Sequence, residues 1–333
     1  MLSMKLLRRA DLHLHSNVSY DVPDVAVLAP RALFEKALDP QRGGRRMDYF
    51  TLTDHDTMAG WEQLVRQLPE STRSYVIPGV EHTLRDPGIG FTIHVNLFML
   101  DPDQYAEIRR TVVTLDELFE FCLPRGIYMQ YNHPTWFEVA EWQSGQVEFG
   151  KVRQIASGFQ VIELNAGRPG RLNAATVSLA GKLGKALTSN SDSHSGDVGL
   201  SHNCAPGDSA REFLDNIWAG HGTLCTSDMT YDGMLTVVHD MIDNVLNERG
   251  ERIVADSVLQ SQHRAIALLV RHLVNSRRLR RGPTREVVRL VLKQISRPVV
   301  SRWLDREHEL ARRLAADSAL GAHFPLTERA GAA

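Results

Sequence analysis

Cysteine is scarce in this chain: only three occur among 333 residues. Cys122, Cys204 and Cys225 are scattered with no Cys-x-x-Cys spacing. The sequence therefore predicts neither a disulfide framework nor a zinc–thiolate site. Because disulfides are rare in reducing compartments, this pattern favours a cytoplasmic protein.

Long apolar runs and an excess of one charge are also missing. No stretch approaches the roughly 20 apolar residues that span a bilayer, and residues 1–5 lack the apolar core of a signal peptide. We therefore expect no membrane insertion. The formal net charge is only -2, so the overall charge gives no reason to expect a nucleic-acid or membrane partner. A hydrophobic fraction of 43% is typical of one large globular domain, or of one domain plus an appendage.

The most informative feature is a His-x-His pair at the end of a predicted strand, Leu6–Leu14. Residues two apart in a strand point to the same face, so His13 and His15 project together. Paired imidazoles at a strand end suit a borderline metal ion. Asp21 follows after a polar turn as a further candidate ligand, with Asp24 as a nearby alternative.

Several further short apolar runs end in polar residues that can bind metals. The predicted strands and their polar residues are Asp48–Thr53 with His55, Tyr75–Val80 with Glu81, Phe91–Leu100 with His94, Ile127–Tyr131 with His133, Phe159–Leu164 with Glu163 and Asn165, and Lys185–Ser189 with Asp192 and His194. The predicted helices between them are Pro30–Leu38, Thr57–Leu68, Leu115–Leu123, Arg171–Leu183 and Ser209–Trp218. Alternating strands and helices favour a parallel sheet covered by helices. Ligands at nearly every strand end favour a closed or nearly closed α/β barrel.

The predicted barrel ends near Tyr231, and only helical patterns follow. These are Leu235–Asn247, Ala265–Val274 and Thr284–Ile295, with Pro298 predicted to end the last. We therefore expect a barrel over residues 1–230 and a helical, arginine-rich segment over 231–333. Dense arginines are typical of a solvated face or of a surface for an acidic partner. The helices are candidates for binding a partner or a second subunit.

The candidate metal ligands share a position at or near a predicted strand end. They are His13, His15, Asp21, His55, Glu81, His94, His133, Asp192 and His194. A catalytic zinc ion has about four positions, one of them open, so this set predicts about two to three divalent ions. Mixed imidazole and carboxylate ligation favours Mn²⁺, Zn²⁺ or Fe²⁺, with Mg²⁺ possible. His94 lies in mid-strand and is also interpretable as a core histidine.

Further residues are assigned roles around these ions. Asp54 is a candidate catalytic residue, or one that orients an imidazole, while Asp56 is a candidate helix cap. Arg168 carries a guanidinium that matches phosphate oxygens, which makes it a candidate for catalysis and substrate binding, with a surface salt bridge as the alternative. Asn165 and His202 are candidate substrate-binding residues.

Seven of the nine ligands lie in short motifs between residues 6 and 227: Asp11-Leu12-His13-Leu14-His15-Ser16, Thr53-Asp54-His55-Asp56-Thr57 with Gly60, Gly79-Val80-Glu81, Asn132-His133-Pro134, and Ser191-Asp192-Ser193-His194. As a set they resemble the PHP (polymerase and histidinol phosphatase) domain family, and Ser19-Tyr20-Asp21 is most similar to its stand-alone phosphoesterase branch. The resemblance implies a distorted (β/α)7 barrel with a helical C-terminal appendage. It also implies a trinuclear metal centre bound by the nine candidate ligands, with Glu81 bridging two ions.

The function that the resemblance implies is hydrolysis of phosphate esters by a metal-bound hydroxide. The expected substrate is a nucleotide, a short nucleic acid or a small-metabolite phosphate. A basic insert, residues 42–46, departs from the family pattern, and Arg45 or Arg46 is a candidate for holding phosphate. Two alternatives stay open. One is an amidohydrolase-type barrel that cleaves C–N bonds, and the other is a non-catalytic, metal-stabilised module whose C-terminal helices bind a partner.

Overall fold

The computed structural model describes residues 6–39, 46–145, 147–247, 276 and 282–316, and these residues form a mixed α/β protein. The described strands are β1 Leu7–Ala10, β2 Phe50–Thr51, β3 Val76–Ile77, β4 Gly79–Leu84, β5 Ile93–Phe98, β6 Tyr128–Tyr131, β7 Val161–Asn165, β8 Ala186–Asn190, β9 His202–Pro206 and β10 Thr223–Cys225. The described helices are α1 Pro30–Leu38, α2 Ala59–Gln67, α3 Glu70–Arg73, α4 Pro102–Thr111, α5 Leu115–Cys122, α6 Val139–Ser144, α7 Phe149–Gly158, α8 Gly170–Leu183, α9 Ala210–Trp218, α10 Tyr231–Asn247 and α11 Gly282–Ala316.

Most predicted elements are found, with shifts at their ends. Helix α1 has the predicted bounds, and its first residue is the proline whose fixed φ suits that position. The predicted cap of α2 is wrong: Met58 precedes the helix, and the Asp56 carboxylate accepts a hydrogen bond from the Thr83 N–H instead. Helices α3, α4, α6 and α7 and strands β9 and β10 were not predicted from the sequence.

The strands of the described residues form three sheets rather than one continuous barrel. The sheets have the orders β1-β9-β10, β2-β3 and β4-β5-β6-β7-β8. Strands β6, β7 and β8 are parallel, as are β2 and β3. The prediction of a parallel arrangement is wrong for the predicted strands β1, β4 and β5: β1 pairs antiparallel with β9, β4 with β5, and β5 with β6.

Side-chain acceptors replace the hydrogen bonds of a continuous ladder where the sheets meet. The Leu12 N–H donates to Oδ1 of Asn190 at 3.0 Å, and the Leu14 N–H donates to Oγ1 of Thr53 at 3.0 Å. Only an isolated parallel bridge joins Leu14 to Ser193. Because these backbone groups already have partners, the polar chain segments after β1 and β8 need no regular strand pairing.

The C-terminal helix joins the main apolar core. Leu310 and Leu314 of α11 belong to the same buried cluster as Val95, Tyr131 and Ile162 of β5, β6 and β7. Full burial of one leucine contributes about 2 kcal/mol, which fixes this part of α11 against the sheet. Helix α11 also packs against α8 and α10.

Pro298 does not end the last helix, so that prediction is wrong. Helix α11 continues through Pro298 to Ala316. An interior proline costs about 3 kcal/mol, and the buried side chains of Val300, Leu310 and Leu314 on the far side of it offset that cost.

The predicted helix Ala265–Val274 lies outside the described residues, and the boundary at residue 230 stays a prediction. No described helix is both long enough and apolar enough to cross a membrane.

Candidate metal centre

All nine predicted ligands lie in one connected cluster of side chains. His13 and His15 follow β1, and Glu81 and His94 lie on the adjacent strands β4 and β5. His133 follows β6. The remaining members come from loops after β1, β2 and β8: Asp21, His55, Asp192 and His194. The cluster therefore collects side chains from segments far apart in the sequence.

Glu81 is the centre of this cluster and is fully buried. Its Oε2 lies 2.9 Å from Nε2 of His13, 3.1 Å from Nε2 of His15 and 3.4 Å from Nε2 of His55. Its Oε1 lies 3.2 Å from Nδ1 of His94 and 3.4 Å from Nε2 of His133. Each oxygen of one carboxylate thus faces its own group of imidazoles.

Two further carboxylates extend the cluster. Oδ1 of Asp192 lies 3.2 Å from Nε2 of His15 and 3.4 Å from Nε2 of His13. Oδ2 of Asp21 lies 2.7 Å from Nε2 of His194 and 3.3 Å from Nε2 of His55. Asp21, rather than its alternative Asp24, is therefore the carboxylate beside these histidines, since Asp24 accepts a hydrogen bond from Asn17.

The donor atoms fall into three overlapping groups in which all the atoms lie within 4.8 Å of one another. The groups are His13, His15, Glu81 and Asp192; His15, Asp21, His55 and His194; and His55, Glu81 and His94. His133 borders the third group through Glu81. Each group has three or four hard-to-borderline donors, which is the number that one divalent ion takes from a protein.

The hydrogen bonds of His13 indicate whether the donor atoms of the cluster are suited to binding a cation. Its Nδ1 lies 2.8 Å from Oε1 of Glu163, and a carboxylate only accepts, so Nδ1 carries the proton. In the neutral imidazole, Nε2 then points a lone pair at Oε2 of Glu81, 2.9 Å away. Two lone pairs repel at that distance unless a proton or a metal ion lies between them. The donor set therefore fits metal binding.

The pKa values show how strongly the carboxylates and imidazoles of the cluster affect one another. Burial alone would raise the pKa of the Glu81 carboxyl, but the imidazoles, His13 foremost, hold that pKa well below its usual value. Burial opposes protonation of His15, but Asp192 and Glu81 raise its pKa to about 10. Metal ions would replace the protons that the cluster otherwise retains.

Glu163 is the main residue whose role the sequence analysis missed. It lies in β7, is fully buried, and orients His13 through the contact described above. Its Oε2 also accepts a hydrogen bond from the His133 N–H at 3.0 Å. A charged residue within an otherwise apolar strand was the available signal, because such a residue is rarely buried without a partner.

Two of the four described non-glycine residues with positive φ are predicted ligands. His133 has φ 26° and Asp192 has φ 49°, and both values lie in the left-handed region that is costly for residues with a Cβ atom. Asn165 supports the second of them, since its Nδ2 donates to Oδ2 of Asp192 at 2.8 Å. Asn165 thus contacts a ligand, while the substrate contact assigned to it stays a prediction.

Asp54 holds the turn that follows His15. Its two oxygens accept hydrogen bonds from the N–H and the hydroxyl of Ser16, at 2.6 and 2.8 Å. Gly60 lies directly against this carboxylate, where a Cβ atom would clash. Because these hydrogen bonds hold Ser16 in place, Asp54 positions the His-x-His segment, and its catalytic role stays a prediction.

Arg168 lies at the edge of the cluster and is only 8% exposed. Its guanidinium packs over the ring of Trp136, with 5.7 Å from Cζ to the ring centroid, and Trp136 in turn lies 4.9 Å from the His94 ring. Nη1 of Arg168 lies 3.4 Å from Oε2 of Glu307 in α11. Arg168 therefore forms the salt bridge given as its alternative role, but the ion pair is buried rather than on the surface.

His202 is the first residue of β9, and its donor atom groups with those of two cysteines. Its Nδ1 lies 3.2 Å from the carbonyl oxygen of Gly199, and its neighbours include Cys204 and Cys225 rather than the nine ligands. Its assignment to the substrate therefore stays a prediction. Arg45 lies outside the described residues, and Arg46 is exposed.

Comparison with protein-family models gives no match for this sequence, and comparison with curated proteins gives none. Among solved structures, PsfC from Pseudomonas syringae PB-5123 has 19% identity and a TM-score of 0.50, covering 72% of this chain and 98% of that one. A two-domain protein from Bacteroides vulgatus that contains a predicted PHP-like metal-dependent phosphoesterase has 16% identity and a TM-score of 0.49, covering 72% and 71%. An amidohydrolase from Chromobacterium violaceum with bound sulfate and no metal has 15% identity and a TM-score of 0.44, covering 65% and 97%. At these identities the likeness to PsfC indicates a shared fold, and the two weaker likenesses add nothing to it.

Proposed function

We propose that this chain is a metal-dependent hydrolase that cleaves phosphate esters at the cluster around Glu81. The observation that carries the proposal is the arrangement of Glu81, whose two oxygens face separate groups of imidazoles. A carboxylate shared in this way is suited to bridging two cations, and adjacent cations are suited to stabilising both oxygens of an in-line displacement. We assign about two to three divalent ions to the nine ligands.

The proposal includes a distorted (β/α)7 barrel as the scaffold. Backbone hydrogen bonds support it at the end where the ligands lie: the Thr53 N–H donates to Leu14 O, and the His15 N–H donates to Ser193 O. These contacts link the sheet that contains β1 to the sheet that contains β2 and to the sheet that contains β8. A site at the carboxyl ends of such strands has the position that α/β barrels use for catalysis.

Bound divalent ions would supply a water of lowered pKa as the nucleophile and would take up charge from the phosphoryl oxygens. The chain's own residues prepare that chemistry. Glu163 keeps the proton of His13 on Nδ1, so Nε2 is presented as a ligand. Asp54 and Ser16 fix the turn after His15, and Asn165 holds the carboxylate of Asp192.

Arg168 is the residue that we assign to the phosphate group. Among the described residues its Nε is buried without a hydrogen-bond partner, so it has a donor available for a phosphoryl oxygen. Trp136 covers one face of the guanidinium and limits access of water to it. The substrate class is a small phosphorylated molecule or the end of a short nucleic acid, since one arginine fits one phosphate.

The test compares metal content with turnover of 4-nitrophenyl phosphate and bis(4-nitrophenyl) phosphate in the presence of Mn²⁺. We expect about two to three ions per chain, turnover in the wild type, and loss of both an ion and turnover in His194→Ala. The ratio of monoester to diester turnover then selects the substrate class. His221→Ala is the matched control, because His221 is exposed and outside the cluster.

Two outcomes would contradict the proposal. If metal-replete wild type hydrolyses neither ester nor any member of a broad phosphoester panel, the class of reaction is wrong. If His194→Ala retains full metal content and full turnover, the cluster around Glu81 is not the site.

A further inference from the structure

Strands β9 and β10 place three soft metal donors on one face of the sheet. In their antiparallel register His202 is opposite Cys225, and Cys204 is opposite Thr223. Because residues two apart share a face, His202, Cys204 and Cys225 project to the same side. Their donor atoms lie within 4.8 Å of one another, and the two cysteine side chains contact each other.

A hydrogen bond fixes the tautomer of the neutral His202 ring. Its Nδ1 lies 3.2 Å from the carbonyl oxygen of Gly199, and a carbonyl only accepts, so Nδ1 carries the proton. The neutral ring then has its lone pair on Nε2. Histidines that bind metals typically donate their other N–H to a carbonyl or carboxylate in this way.

We propose that His202, Cys204 and Cys225 form a second metal site, which binds one Zn²⁺ ion through an imidazole and two thiolates. Zinc lies about 2.3 Å from a thiolate and about 2.0 Å from an imidazole nitrogen, so donors at the observed separations need only small side-chain rotations to converge. Cys225 is exposed, which leaves the fourth position open to water or to an external ligand.

Charge balance also suits this ion. Two thiolates and a neutral imidazole give a neutral complex with Zn²⁺, so the Arg9 guanidinium, which is opposite Cys204 on β1 and contacts it, is not repelled.

A disulfide is the competing use of the two cysteines, and the register disfavours it. Cys204 and Cys225 are diagonal neighbours, which lie about 7–8 Å apart in an antiparallel pair. A disulfide needs Cα atoms closer than about 7 Å. The sequence predicted no zinc–thiolate site, because the two cysteines are far apart in the chain and meet only through the pairing of β9 with β10.

Cobalt binding tests the proposal, since thiolate ligands give Co²⁺ a near-ultraviolet charge-transfer band. The cluster around Glu81 contains no cysteine, so the band reports only the second site even when Co²⁺ also enters the first. We expect the reduced, full-length protein to develop a saturable band once Co²⁺ is in excess over both sites, and to lose the band when Zn²⁺ is added in excess.

Substitutions assign the ligands. Cys204→Ser and Cys225→Ser should each abolish the band, and His202→Gln should shift and weaken it. Cys122→Ala, which removes the thiol in the main apolar core, should leave it unchanged. Cys225 is exposed, so Cys225→Ser should keep the wild-type thermal unfolding and separate loss of metal from loss of fold.

The proposal is overturned by any of three results. The first is no band in wild-type protein whose thiols titrate as free. The second is a band that survives Cys225→Ser. The third is a wild-type mass lower by two hydrogens with no free thiol at these positions, which would identify a disulfide.

Discussion

The Glu163→Gln substitution removes one negative charge from beneath His13 while keeping the shape of the side chain. In the wild type, Oε1 of Glu163 accepts hydrogen bonds from Nδ1 of His13 at 2.8 Å and from Nδ2 of Asn190 at 2.9 Å. Its Oε2 accepts from the His133 N–H at 3.0 Å. Both oxygens therefore face donors.

Glutamine can accept at only one of these positions. Whichever way the amide is oriented, its NH₂ group faces a donor, and a buried donor left without an acceptor costs about 1–3 kcal/mol. Loss of a partner that orients a metal-binding histidine typically weakens metal affinity by about 10–100-fold. That range corresponds to about 1.4–2.7 kcal/mol of binding free energy.

Isothermal titration of the metal-free protein with Mn²⁺ and urea unfolding of the same samples measure the two effects. The Kd for the most tightly bound ion should rise by about 10–100-fold, and the free energy of unfolding should fall by about 1–3 kcal/mol. Glu120→Gln, on the exposed face of α5, is the matched control and should change neither. Unchanged Mn²⁺ affinity in a folded Glu163→Gln protein would refute the role of Glu163 in orienting His13.

Three further substitutions follow from the described contacts. Gly60→Ala places a methyl group against Asp54, and such overpacking should lower the free energy of unfolding by about 1–3 kcal/mol in urea titration. Glu307→Ala leaves the buried Arg168 without its partner, and chemical unfolding should show a loss of about 3 kcal/mol. Burial lowers the pKa of His82 to about 4. Between that value and about 6.5 the unfolded chain binds a proton that the folded chain does not, so the free energy of unfolding falls as the pH falls. Between about pH 6.5 and pH 5, in EDTA, the free energy of unfolding of His82→Gln should fall by about 2 kcal/mol less than that of the wild type.

Each of these has a control that isolates its cause. Gly150→Ala, where a Cβ atom meets nothing within 4 Å, should not destabilise the protein, and equal stability of Gly60→Ala would contradict the packing argument. Glu309→Ala removes a partly exposed carboxylate from the same helix as Glu307 and should leave the free energy of unfolding close to the wild-type value. His221→Gln should retain the wild-type pH dependence, and a His82→Gln profile parallel to wild type would show that His82 titrates normally.

The sequence by itself identified the candidate ligands, because the evidence for them is local. A period of two places His13 and His15 on the same side, and a polar residue directly after an apolar run predicts a strand end. The bounds of α1 were likewise predictable from its proline and its apolar spacing. The face to which a side chain points within such a segment depends only on residues nearby in the sequence, so it can be predicted without the fold.

The tertiary structure alone decided which distant groups meet. The partner of His13 is Glu163, the partner of Arg168 is Glu307, and Pro298 is tolerated because buried residues beyond it anchor the helix. The antiparallel pairing of β4 with β5 also follows from sheet order rather than from local pattern. These pairings depend on how the strands are arranged in space, and a buried charge is stabilised by whichever group that arrangement brings within hydrogen-bonding distance.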